Sequence, residues 1–198
     1  MELFFSHNDP INTVLRTPDG QLLYKISTPG TDLLLPGKTT TIAKVLPGDI
    51  ADPETPNEVD MQDRLTEVAA IKWQLKDSSV LSYDGQEVDI KEFMPAAGTM
   101  TLVGRPRTFR GPDDVCYKWS FGALEVPVLT REDDATKVIA RFRRQQFGII
   151  GKASKASLEI SPAGEHMRDL IVITFVYVEL LRRKRQRGLR VVGSASGA

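Results

Sequence analysis

Two short motifs in this sequence combine residue types that could bind phosphate or catalyse a reaction. Gly37-Lys38-Thr39 is similar to the end of a phosphate-binding loop, in which backbone amides and a lysine hold the phosphates. That loop needs an earlier glycine separated from the second by four residues, whereas Gly30 lies seven positions before Gly37. We therefore expect a turn followed by a strand here, and no nucleotide site.

The second motif holds the residue types of a hydrolase triad, Ser161, His166 and Asp169. No Gly-x-Ser-x-Gly elbow surrounds the serine, so we expect it to cap a helix and Asp169 to accept a buried hydrogen bond. Cys116, the single cysteine, lies in an apparent strand, where a small buried hydrophobe is the ordinary role. We expect no enzyme activity and no catalytic residue.

Metal and cofactor sites are also not expected. One cysteine and two widely separated histidines do not supply a set of zinc ligands. Residues 47–63 contain three prolines and six carboxylates, but lack the alternating ligands and central glycine of a calcium loop. This segment is expected to be an exposed acidic loop.

Two groups of cations remain as binding candidates. The first is Arg141, Arg143, Arg144, Lys152 and Lys155; the second is Arg182, Arg183, Lys184, Arg185 and Arg187. Each could attract anionic phospholipid, at about 1 kcal/mol per basic residue near a negative membrane. The alternative for the first group is a solvated face, and for the second group it is stabilisation of a helix C-terminus.

The total charge excludes one class of partner. The chain has 26 basic and 26 acidic residues, whereas nucleic-acid binders normally carry a clear positive excess. Residues 1–100 have a net charge of −8 (8 basic, 16 acidic) and residues 101–198 a net charge of +8 (18 basic, 10 acidic). We expect no nucleic-acid partner and place the anion-binding candidates in the second half.

Most of the first 160 residues have the pattern of short strands separated by turns. Pro18-Asp19-Gly20 and Asp84-Gly85 are strong turn signals, and the second is typical of a two-residue hairpin. The expected strands are 3–6, 13–16, 21–26, 38–45, 65–75, 80–83, 86–93, 99–103, 115–121, 124–129, 136–142 and 156–160. This spacing predicts a mainly β fold, a barrel or a sandwich.

The segment 161–187 breaks this pattern. Residues 170–178 are apolar except Thr174, so the run has no polar face and must be surrounded by protein. Its β-branched residues favour a buried strand, whereas Ser161-Pro162 and the basic residues after the run favour a helix. We expect a helix over 162–187, buried in a barrel and too short in its apolar part to cross a membrane.

The order of several motifs resembles a known family. They are Asn8-Asp9-Pro10, Leu23-Tyr24-Lys25-Ile26, Thr39-Thr40-Thr41-Ile42, Tyr117-Lys118-Trp119, Gly148-Ile149-Ile150-Gly151 and Thr174-Phe175-Val176-Tyr177-Val178-Glu179. Together they are similar to the fungal "domain of unknown function 6593" family over roughly residues 1–187. The link from Gly30 to Gly37 is longer than usual in that family, which should affect a loop only.

The resemblance implies a fold but no activity. The implied fold is a tubby-like closed β-barrel of about twelve strands around a buried C-terminal α-helix, as in phospholipid scramblases and LURP-one-related proteins. We expect one domain over 1–187, and a disordered tail over 188–198 because that segment ends in small and polar residues. The N-terminus lacks the pattern of a secretory signal, so we expect a cytoplasmic protein that can lie at a membrane surface.

Two functional hypotheses follow from the sequence. The first is a non-enzymatic domain that binds anionic phospholipid at a membrane surface. The second is a structural or protein–protein interaction module with no lipid ligand. Salt separates them, because screening weakens attraction to phosphate more than it weakens apolar protein contacts.

Overall fold

Twelve antiparallel strands and a C-terminal helix form the framework of the chain, given by a computed structural model. It describes residues 1–30, 37–45, 65–74, 78–102, 104–121, 126–146 and 154–195, with only the backbone for 188–195. The expected acidic loop 47–63 lies outside the described residues. Two compact units are present, Leu3–Ile90 and Met1–Glu2 with Lys91–Ala198. The mainly β fold class and the C-terminal helix are confirmed.

In the unit Leu3–Ile90, successive strands pair antiparallel from β1 to β7. The strands are β1 (Glu2–Phe5), β2 (Thr13–Arg16), β3 (Leu22–Ser27), β4 (Thr39–Val45), β5 (Leu65–Lys72), β6 (Val80–Tyr83) and β7 (Gln86–Asp89). Buried and less buried residues alternate along β2 and β3, as in a sheet with one face in the core. Trp73 Nε1 donates a 2.7 Å hydrogen bond to the buried Thr40 Oγ1, so this core contains paired polar atoms.

The hairpin between β6 and β7 confirms the strongest turn prediction. Tyr83 and Gln86 are register partners, which leaves Asp84 and Gly85 as the two loop residues. Their φ angles are 52° and 71°. Positive φ at both positions is what the type I′ turn requires, and its twist matches that of the flanking strands.

In the other unit, strands β8 to β12 also pair antiparallel with their neighbours in sequence. They are β8 (Arg107–Arg110), β9 (Cys116–Phe121), β10 (Pro127–Arg131), β11 (Val138–Arg143) and β12 (Ser157–Ile160). The short helix α1 (Ile90–Phe93) precedes them, and a 3₁₀ turn (Pro162–Met167) leads into the long helix α2 (Arg168–Ala195). Within this unit Met1 accepts a 2.8 Å backbone hydrogen bond from Ile160.

Helix α2 resolves the choice between a buried strand and a buried helix in favour of the helix. Residues 170–180 are all buried. Trp119 Nε1 donates a 2.9 Å hydrogen bond to Thr174 Oγ1, and the rings of Phe142 and Phe175 lie 5.1 Å apart. A helix satisfies its own backbone hydrogen bonds, so it can be buried on every side where a strand would need two partner strands.

The strand prediction differs from the structure in three places. The described residues 99–102 of the expected strand 99–103 do not form a strand: Thr101 and Gly104 close a tight turn, with the φ of Gly104 at 138°. Strand β8 was not predicted, because Pro106 precedes it and an arginine stands at each end. The expected strand 86–93 divides into β7 and α1.

The ends of the helical segment also differ from expectation. Ser161 stands at the cap position, but its hydroxyl makes no capping bond and is buried without a partner among the described residues. We expected the helix to end at 187 and a disordered tail from 188; instead α2 continues to Ala195. One internal glycine, Gly188, costs only about 1 kcal/mol, so the helix can continue through it.

Strand pairing does not confirm the closed barrel. Among the described strands, β1 to β7 form one open series and β8 to β12 another within their units. In the described part of the chain, no helix is both long and apolar enough to cross a membrane.

Close packing at the start of the helical segment gives a first testable prediction. A Cβ atom on Gly164 would lie 2.8 Å from Ile139 Cγ2 and 2.9 Å from Ile171 Cδ1. Because these methyl groups belong to buried side chains, we expect Gly164→Ala to lower the free energy of unfolding by about 1–3 kcal/mol. Urea unfolding measures this, with Ala163→Ser at the exposed neighbour as the control. Equal stability of Gly164→Ala and the wild type would contradict the packing.

Candidate anion-binding surfaces

The residues considered for hydrolysis do not form a triad. Ser161 Oγ has no hydrogen-bond partner among the described residues, and His166 Nε2 lies 3.3 Å from Asp113 Oδ2. Cys116 is half-buried on β9, not fully buried as expected. The described residues contain no group of three or more His, Cys, Asp or Glu that could hold a metal ion.

His166 instead belongs to a polar cluster at the turn between β8 and β9. Tyr117 donates a 2.7 Å hydrogen bond to Asp113 Oδ2. Burial, followed by this bond to Asp113, raises the pKa of Tyr117 to about 12. Burial alone would raise the pKa of Asp113, but hydrogen bonds from Tyr117 and the Val115 amide lower it overall. The Asp113 carboxylate is thereby held charged, so it is a strong acceptor for the hydrogen bonds that hold the β8–β9 turn.

Two residues of the first predicted cation group lie on the exposed side of β11. Arg141 and Arg143 are exposed, while Phe142 between them is buried against α2. Arg144 and Lys155 are exposed as well, and Lys152 lies outside the described residues. We call Arg141, Arg143, Arg144 and Lys155 the β11 basic face.

Carboxylates on the neighbouring strands offset part of this charge. Arg143 Nε donates a 2.5 Å hydrogen bond to Glu159 Oε1 on β12, and that bond raises the pKa of Arg143. Glu159 is also the register partner of Arg141. Glu2 accepts a 2.7 Å hydrogen bond from Ser157. An anion on the β11 basic face must therefore compete with Glu159 for Arg143.

The second predicted cation group is divided by burial. Arg182 is 4% exposed and donates two 2.7 Å hydrogen bonds to the carboxylate of Glu179, which also accepts one from Arg183. Arg182 and Arg183 are thus not part of an exposed cluster. Their charge balances a buried carboxylate. Lys184, Arg185 and Arg187 lie exposed farther along α2.

The exposed end of this group lies beside an apolar turn that the sequence analysis missed. Arg185 Nε donates a 3.2 Å hydrogen bond to the carbonyl of Leu102. Met100 and Leu102 are the exposed large hydrophobic residues of the described chain, at 50% and 72% exposure. We call Met100, Leu102, Arg105 and Arg185 the helix-end surface. Gly98 and Gly104 on either side were the sequence signal for a turn.

Comparison with known proteins supplies a family without an assigned activity. The model described as "Family of unknown function (DUF6593)" matches residues 8–184. An X-ray structure of a protein from Arabidopsis thaliana is 15% identical, with 87% of each chain covered and a TM-score of 0.42. A likeness at that score carries no argument about fold or function. No curated protein matches the chain.

Proposed function

This chain belongs to the family of unknown function DUF6593, and from that premise we propose that it is a non-enzymatic domain that binds anionic phospholipid through the β11 basic face. The observation that carries the proposal is the placement of Arg141 and Arg143 on the outward side of one strand, with Arg144 and Lys155 exposed beside it. We place the domain in the cytoplasm, at a membrane surface.

The chemistry of these side chains supports phosphate as the ligand. A guanidinium group presents paired donors that match two phosphate oxygens. Glu159 holds Arg143 on the same face as Arg141 through the Nε donor of Arg143. Several exposed cations suit a surface of many headgroups, and each contributes about 1 kcal/mol.

A closed, tubby-like barrel around α2 is the second part of the proposal. It is supported by the burial of residues 170–180, which cover every side of the helix over three turns. In such a barrel the side chains of β11 would alternate between the helix and the solvent, as Phe142 and its arginine neighbours do.

The lipid proposal predicts that charge reversal on the β11 basic face weakens vesicle binding without lowering the stability of the fold. We expect Arg141→Glu/Arg144→Glu to weaken binding to vesicles of phosphatidylcholine and phosphatidylserine by about 30-fold or more, because two attractive contacts become repulsive. The thermal midpoint should change little, since exposed substitutions usually cost under about 0.5 kcal/mol. Arg143 is left in place because its change would also disturb Glu159. Vesicle flotation at low salt and at about 150 mM salt measures the effect.

The matched control is Lys72→Glu/Lys91→Glu, which changes the net charge equally at exposed positions on other elements, β5 and α1. This control should float nearly as the wild type does. If both variants lose binding equally, net charge and not the β11 basic face governs the attraction. If the wild type does not float with anionic vesicles, the lipid function is wrong and the protein-interaction hypothesis replaces it.

A further inference from the structure

The turn that carries Met100 and Leu102 is held in place by its own hydrogen bonds. Thr101 N donates to the carbonyl of Gly104 at 2.9 Å, and Thr101 Oγ1 donates to the same carbonyl at 2.6 Å. A Cβ atom on Gly104 would lie 3.7 Å from the Phe121 ring, so the turn runs close to that ring. Arg185 then ties the carbonyl of Leu102 to α2. The exposed apolar side chains therefore project from a turn that loses little further entropy when a ligand binds.

Two arginines lie beside this apolar pair. Arg105 follows the turn and is exposed, and Arg185 reaches Leu102 from the helix. An apolar tip with positive charge beside it matches the interface of an anionic bilayer, where acyl chains lie beneath phosphate groups.

We propose that the helix-end surface is a second membrane-contact site, in which Met100 and Leu102 enter the interface of an anionic phospholipid bilayer and Arg105 and Arg185 bind its headgroups. It shares its ligand class with the proposed function but uses different residues. A protein partner fits less well, because two side chains supply little of the roughly 1,200 Å² that a stable protein interface buries.

Tryptophan fluorescence tests whether the turn enters the bilayer. The native Trp73 and Trp119 are 2% and 0% exposed, so their emission should not respond to vesicles. In Leu102→Trp we expect a blue shift when vesicles of phosphatidylcholine and phosphatidylserine are added, and quenching by brominated lipid. No shift and no quenching, while flotation shows that this variant is bound, would overturn the proposal.

Flotation tests whether the apolar groups contribute affinity. We expect Met100→Ser/Leu102→Ser to bind the same vesicles about tenfold more weakly, because two partly inserted apolar side chains are lost. The control Met100→Leu/Leu102→Met keeps both positions apolar and should bind as the wild type does. Equal flotation of the serine variant and the wild type would overturn the inference.

Flotation of the two double variants tests the two proposed sites separately. Loss in the serine variant with full binding of Arg141→Glu/Arg144→Glu supports the helix-end surface and overturns the β11 basic face. The opposite result supports the β11 basic face alone and overturns the inference. Serine substitution that abolishes self-association of the protein, with flotation unchanged, would show that a second copy of the chain covers the turn and would also overturn it.

Discussion

Replacing Val176 by aspartate should leave a chain that is insoluble or melts without cooperativity at neutral pH. Val176 is 0% exposed in α2, and both of its neighbours in sequence are buried. A carboxylate buried without a partner costs several kcal/mol, which is comparable to the whole stability of a domain, about 5–15 kcal/mol. The soluble fraction after expression and the thermal melt followed by circular dichroism measure the result.

Two comparisons separate charge from polarity at this position. Val176→Thr keeps the side-chain shape, and its hydroxyl can donate to the carbonyl four residues earlier, as Thr174 does to Leu170 at 2.8 Å. We expect it to cost about 1–3 kcal/mol. The deficit of Val176→Asp should shrink as the pH falls toward about 4, because burial raises the pKa of a carboxyl and the folded state then binds a proton more tightly than the unfolded chain. A soluble Val176→Asp variant that melts like the wild type at pH 7 would show that α2 is peripheral.

The strands were predictable where the signals were local. The predicted bounds of Thr13–Arg16 and Val80–Tyr83 match the observed bounds. Strand alternation and turn dipeptides are local signals, because they depend on the backbone preferences of neighbouring residues. Strand Arg107–Arg110 has no such signal: its only fully buried residue is Phe109, and the strand is set by pairing with Tyr117 and its neighbours on β9. That pairing depends on tertiary contacts.

The candidate surfaces were predictable in composition but not in geometry. Arg141 and Arg143 are evident as cations in the sequence. The bond from Arg143 to Glu159 is not, because these residues are 16 positions apart and meet through the register of β11 and β12. The apolar turn lies in the expected strand 99–103, where Met100 and Leu102 alternate with threonines. Alternation does not distinguish a half-buried strand from a turn whose apolar residues remain in solvent.

The pair of Glu179 and Arg182 had a sequence signal that was not used. Residues three apart on a helix are neighbours, so their contact follows from the spacing alone. The burial of the pair does not follow from the spacing, because a cluster of arginines after an apolar run is usually solvated. Burial of Arg182 depends on how far the surrounding structure extends along α2.

Removal of Glu179 from its buried pair with Arg182 is expected to cause the second large loss of stability. Glu179 is 0% exposed, and it supplies both acceptors for the bidentate contact with Arg182. We expect Glu179→Ala to lower the free energy of unfolding by about 3–5 kcal/mol, because it leaves the Arg182 guanidinium buried without its counter-charge. Urea unfolding measures the loss, and Arg187→Ala, at an exposed position of the same helix, should stay within about 0.5 kcal/mol of the wild type.

The double variant Glu179→Leu/Arg182→Met shows whether the loss comes from the unpaired charge or from the missing side-chain volume. Both replacements are apolar and fill most of the space, so no charge remains buried. Arg182 Nη1 already lacks a partner among the described residues, which means that the native pair does not recover its full desolvation cost. We therefore expect the double variant to regain most of the stability lost in Glu179→Ala, and to equal or exceed the wild type. A double variant as unstable as Glu179→Ala would contradict this account and assign the effect to packing around Glu179.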